Sequence, residues 1–154
     1  DQFFLTDSWK FYWKDLKGEK HLRYVPNTDH SMRNSDALES AMAFSEAIIH
    51  NKPRPRYSWN VKKDGPIDLP TVDQPPSVEL WQTTIPPPVK PGRYSAKVQD
   101  PPKGYTVYFI EMTFPSTGKY PFKFTTGSYV TPDTYPFRAP VAGQTKVGPR
   151  PARR

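Results

Sequence analysis

The chain has 154 residues, a formal net charge of +7, 35% hydrophobic and 14% aromatic residues, 20 prolines and no cysteine. That length suits one ordinary domain or two small ones. Four tryptophans argue against a disordered chain, and the lack of cysteine excludes disulfide and thiolate chemistry.

In chain order, Thr6 or Asp7 can cap a helix running to about residue 16, with Trp9, Tyr12, Trp13 and Leu16 on one face and Gly18 as its stop. Residues 20–25 read as a short strand, which Pro26 turns into the polar stretch Asn27-Thr28-Asp29-His30. A second helix, capped by Asn34 or Ser35, is expected to reach about residue 50 with Leu38, Ala41, Met42, Ser45, Ile48 and Ile49 as its apolar stripe. Together these predict an αβα segment. A rigid strand whose terminal turn carries one histidine is how α/β-hydrolases deliver their catalytic base, although an ordinary αβα turn with a histidine in it is the commoner reading of that spacing.

At Pro53 the composition shifts to a stiff KPRPR linker and then to period-two patterning. Strands are expected at 56–62, 66–69, 77–83, 94–98, 105–114 and 122–130, with a hairpin turn at 63–65. The 105–114 strand is the strongest, with Tyr108, Ile110, Met112 and Phe114 on one face and Glu111 as an acid on the other. Short strands joined by Pro/Gly turns suggest an antiparallel, immunoglobulin-like β-sandwich. The expected division is residues 1–52, residues 53–138, and a basic, disordered tail at 139–154.

The charges are interspersed apart from that tail, so a solvated surface is the better reading than a nucleic-acid interface. No membrane span is expected. The three histidines are scattered, which supports neither a metal site nor any other cofactor. No G-x-S-x-G elbow is present, and Ser31 adjoins His30 too closely to be its nucleophile. His21 and His50 read as structural, and Trp59 and Trp81 read as core before they read as a carbohydrate platform. The chain opens on Asp1, without Met or a leader pattern, as a processed product or a piece of a longer protein would.

The stretches DQFFLTDSWKFYWKDLKGEKHLRYVPNTDHSM, VELWQTT, PPKGYTVYFIEMTF and KFTTGSYVTPDTYPF resemble the C-terminal portion of the PhoPQ-activated pathogenicity-related family. That resemblance implies a secreted or periplasmic protein, α+β overall. Its parts would be a C-terminal αβα piece of an α/β-hydrolase-like parallel sheet and an antiparallel immunoglobulin-like β-sandwich. It implies His30 as catalytic base and Asp1 as the acid that orients it, for ester or amide hydrolysis with the nucleophile upstream. Asp7 is the rival acid, and Asp29 reads as a turn former. The expected partners are the missing N-terminal hydrolase region of the same protein and a cell-surface molecule. The alternative is a secreted, non-catalytic signalling or binding factor of the proliferation-repressor type.

Overall fold

The computed structural model describes residues 4–61, 66–82 and 93–134. Asp1, the expected hairpin turn at 63–65 and the basic tail at 139–154 lie outside the described residues.

The nine-residue strand β5 (Thr106–Phe114) organises the molecule. Its sequence TVYFIEMTF is β-branched and aromatic almost throughout, as suits a strand buried on both faces. Along one edge it pairs antiparallel with β3 (Ser77–Trp81), from Ser77↔Thr113 to Trp81↔Phe109. Along the other it pairs antiparallel with β6 (Phe122–Thr125) and then β7 (Tyr129–Thr131). A second antiparallel sheet joins β1 (Asn60–Val61), β2 (Ile67–Pro70) and β4 (Arg93–Ala96) in that order. Ile67, Leu69 and Tyr94 of this sheet share one buried cluster with Tyr108, Ile110, Met112, Phe114, Phe122 and Phe124 of the other.

Between the Glu111↔Thr125 and Tyr108↔Tyr129 pairs, β5 has two residues and the opposite strand three. The expected single strand over 122–130 is therefore broken by a one-residue bulge at 126–128. Thr126 bridges the break: its hydroxyl accepts from the Ile110 N–H (3.1 Å) and donates to the Gly127 carbonyl (2.9 Å). Gly127 is required there because the Trp9 indole lies on it, and any Cβ would overlap that ring. The indole N–H then donates to the Ser128 carbonyl at 2.8 Å.

The first fifty residues correct the expected architecture. Among the described residues there is no αβα piece of an α/β-hydrolase-like parallel sheet; their strand pairings are all antiparallel, accompanied by two α-helices and a 3-10 turn. The described residues are predominantly antiparallel β-structure, not an α+β tandem of hydrolase segment and immunoglobulin-like sandwich. Helix α1 (Trp9–Tyr12) is one turn long and tightens into a 3-10 turn at Trp13–Asp15. The reason is that its aromatic residues serve different places: Trp9 seats on Gly127, Trp13 packs on Trp59 (5.4 Å), and Tyr12 and Leu16 stay exposed. The Lys20 ammonium closes the turn by donating to the carbonyls of Trp13 (2.5 Å) and Leu16 (2.9 Å).

Residues 20–25 make one antiparallel bridge, Leu22↔Thr125, rather than a strand. A parallel strand needs neighbours reached through crossovers. Here the available edge is the end of β6, where the Thr125 N–H donates to the Leu22 carbonyl (2.8 Å) and the Tyr24 N–H to the Thr125 hydroxyl (3.0 Å).

Helix α2 (Ala37–Ile49) packs on β6, but with the opposite face from the one its large apolar residues mark. Ser40, Ala43 and Ala47 are buried, and Phe44 meets Phe124 edge-on. Small side chains let the helix approach a strand already filled by Phe122 and Phe124. The Leu38, Met42, Ile48 and Ile49 side faces outward.

Candidate functional site

The segment 27–34 is a turn held by its own polar side chains. The Asp29 carboxylate accepts from the Ser31 N–H (2.9 Å) and hydroxyl (2.6 Å); the Ser31 oxygen accepts from the Arg33 N–H (3.2 Å); the Ser35 hydroxyl donates to the Met32 carbonyl (2.7 Å). The two bonds from Ser31, the hydroxyl's the larger effect, hold the Asp29 carboxyl below its ordinary range. Asn27 (φ 54°), Met32 (φ 53°) and Asn34 (φ 58°) all adopt the left-handed conformation. Asparagine does so readily because its side chain can bond the local backbone, but a methionine side chain offers no such bond, so Met32 stores on the order of 1 kcal/mol of strain. His30 stands exposed on this turn with its ring centroid 5.6 Å from that of Phe4.

Both feet of the turn are tied to the sheet. Arg23 precedes it and Asp36 follows it, and the two pair at 2.6 Å. The Arg23 guanidinium also donates to Glu111 of β5 (2.5 Å), while the Lys123 ammonium of β6 donates to Asp36 (2.6 Å) and lies 3.9 Å from Glu111. Glu111 is only 4% exposed, so its charge is matched within the protein. Burial pushes the Asp36 carboxyl up, but the Lys123 and Arg23 cations outweigh it and hold the group below its ordinary value. The hydrogen bond to Asp36 raises Lys123 in turn.

A third constellation surrounds His21. Its ring stacks on Phe124 (4.2 Å) and meets Phe44 edge-on (5.3 Å). Nε2 lies 3.0 Å from the Glu19 carboxylate and Nδ1 3.0 Å from the Tyr57 hydroxyl. A carboxylate can only accept, so Nε2 carries a proton, and in the neutral ring Nδ1 then accepts from the Tyr57 hydroxyl. Glu19 is gripped by Arg54 through three contacts of 2.7–2.9 Å, and this bond first, then that from His21, lowers its pKa to about 2. Burial raises the Tyr57 phenol, which therefore remains a proton donor and a brace rather than a nucleophile.

Of the sequence-predicted site residues, His30 is displayed on the turn and Asp1 lies outside the described residues. Asp7 pairs with Lys10 at 3.0 Å, and Asp29 is occupied by Ser31. His50 is the C-terminal cap residue of α2. Trp59 packs among Trp9, Trp13 and Tyr57, and Trp81 is half-buried. Among the described residues no group of three or more His, Cys, Asp or Glu could hold a metal ion, and no helix is long and apolar enough to cross a membrane.

Sequence reasoning missed both charge networks. Glu111 did carry a signal, since an acid within an otherwise apolar strand needs a cation nearby. The Glu19–His21–Tyr57 line carried none, because Tyr57 comes from 36 residues away.

Comparison with known proteins places these residues in context. The autocrine proliferation repressor protein A of Dictyostelium discoideum is 28% identical over 184 aligned positions, which cover 89% of this chain and 37% of the relative. The chain thus spans little more than a third of that protein. No solved structure matches. The sequence model of the PhoPQ-activated pathogenicity-related proteins matches residues 1–87, a span that contains the His30 turn, both of its feet and the His21 line. The chain belongs to the PhoPQ-activated pathogenicity-related protein family.

Proposed function

We propose that His30 is the general base of an acyl-transfer site, hydrolysing an ester or amide, whose nucleophile and oxyanion hole come from polypeptide outside this sequence. The observation that carries the reading is the turn itself: three left-handed non-glycine residues, braced by Asp29 and Ser31, hold one imidazole at the surface. Local strain of this kind is retained where the surrounding structure uses the geometry. Asp1 is the carboxylate assigned to orient the ring, as a triad acid does, and the setting is extracellular or periplasmic. A base and an acid alone give no turnover, so the 154-residue chain by itself is inert toward p-nitrophenyl acetate.

The test is ester turnover by the longer Dictyostelium relative with its equivalent of His30 replaced by Ala. Loss of a triad base should lower kcat on the order of a thousandfold or more while the melting curve stays in place. An unchanged rate refutes the catalytic role. The second reading, a secreted factor that signals by binding without chemistry, is favoured by the name of that relative, a proliferation repressor.

A further inference from the structure

Among the described residues twelve large apolar side chains stand exposed, and all but Val72 and Tyr105 lie between residues 4 and 49. Strands β5 and β6 bury theirs almost completely. The imbalance centres on α2, where Leu38 is 70% exposed, Met42 48%, Ile48 53% and Ile49 75%. With Ala41 and Ser45 these positions recur at three- and four-residue intervals and form one uncharged face, opposite the Ser40/Ala43/Ala47 face that already packs on β6. Solvent does not account for a helix that is apolar on both sides, because a surface helix keeps its outer face polar. The patch is of the kind that marks an interaction surface.

We infer that the outer face of α2 docks on a second folded polypeptide unit with an apolar centre and a basic rim, supplied by chain corresponding to the part of the longer Dictyostelium relative that lies outside the matched segment. The match takes up only 37% of that relative, which leaves the larger part of its chain to supply such a surface. Charge argues against a second copy of this chain as the occupant. Glu39 and Glu46 lie seven residues apart and edge the same flank of the face, so an antiparallel self-pair would set acid against acid. A unit with basic residues along that edge meets no such repulsion.

The inference is independent of the chemistry assigned to His30, since its test reads packing and ester turnover reads catalysis. The chain has no cysteine, so Met42→Cys, Ile49→Cys and, as an exposed control, Lys103→Cys each give a single maleimide target. In the 154-residue chain all three should label at similar rates. In the full-length relative carrying cysteine at the aligned positions, with labelling read peptide by peptide by mass spectrometry, the Met42 and Ile49 positions should react at least tenfold more slowly than the Lys103 position. Equal rates at the three positions in the relative overturn the inference. So does a 154-residue chain that elutes as a stable dimer and becomes monomeric on Met42→Glu, which would assign the face to a second copy.

Discussion

Replacing Glu111 by Gln tests how the His30 turn is anchored. The carboxylate is 4% exposed and accepts from Arg23 at 2.5 Å, with Lys123 at 3.9 Å. Glutamine keeps the shape and one acceptor but removes the charge, leaving the Arg23 and Lys123 cations with Asp36 alone between them. Removing one partner of a buried pair costs about 3–5 kcal/mol. Asp36 still holds both cations at 2.6 Å, so the lower end, about 3 kcal/mol, is the expected loss. For a chain of this size that corresponds to a fall in Tm of roughly 10 °C. Urea denaturation followed by tryptophan fluorescence measures it directly. The companion variant Arg23→Met/Glu111→Leu, which removes both buried charges of the pair, should recover much of the loss. A loss below about 1 kcal/mol for Glu111→Gln, or a double variant no more stable than the single one, would show that the pair does not anchor the turn.

Two further outcomes follow from the same packing. Gly127→Ala places a Cβ in the Trp9 indole and should cost about 1–3 kcal/mol, with a red-shifted tryptophan emission as the ring is displaced; unchanged stability and emission would mean that Trp9 does not seat there in solution. Glu19 has a folded pKa depressed to about 2 from 4.5, so its contribution to stability is complete above pH 4.5 and is lost as the pH falls toward 2. Because Glu19 is well exposed that contribution is small and screened by salt; Glu19→Gln should flatten stability across this pH window, and an identical pH profile for the variant would refute the assignment.

Local sequence determined most of the strands. The run from Tyr105 to Phe114 marks β5 to within a residue, because a β-branched and aromatic stretch bounded by Gly104 and Pro115 has few other conformations open to it. The period-two stretches near 66–69 and 77–83 become β2 and β3 for the same reason. Helix α2 was legible too, ending at the Asn51-Lys52-Pro53 stop. His30 was legible as a turn residue, from the Pro-Asn-Thr-Asp signal before it.

Which face of an element meets which neighbour was a different matter. The stripe of α2 predicts a buried Leu38/Met42/Ile48 face, yet the helix buries Ser40, Ala43 and Ala47, because these small side chains let it approach the strand that carries Phe122 and Phe124. Residues 20–25 have strand-like composition, but a strand exists only where an edge accepts it, and the end of β6 offers room for a single bridge. The bulge at 126–128 depends on Trp9, which comes from 119 residues earlier than the carbonyl it binds. Sequence alone, then, determined the local conformation, which depends on each residue's own dihedral preferences and the spacing of its apolar neighbours. Tertiary structure alone decided that residues 20–25 meet an antiparallel sheet instead of a parallel one, and it alone decided the charge quartet beneath the His30 turn and the exposed face of α2. Each of these rests on contacts between residues far apart in the chain, and no local pattern encodes such pairings.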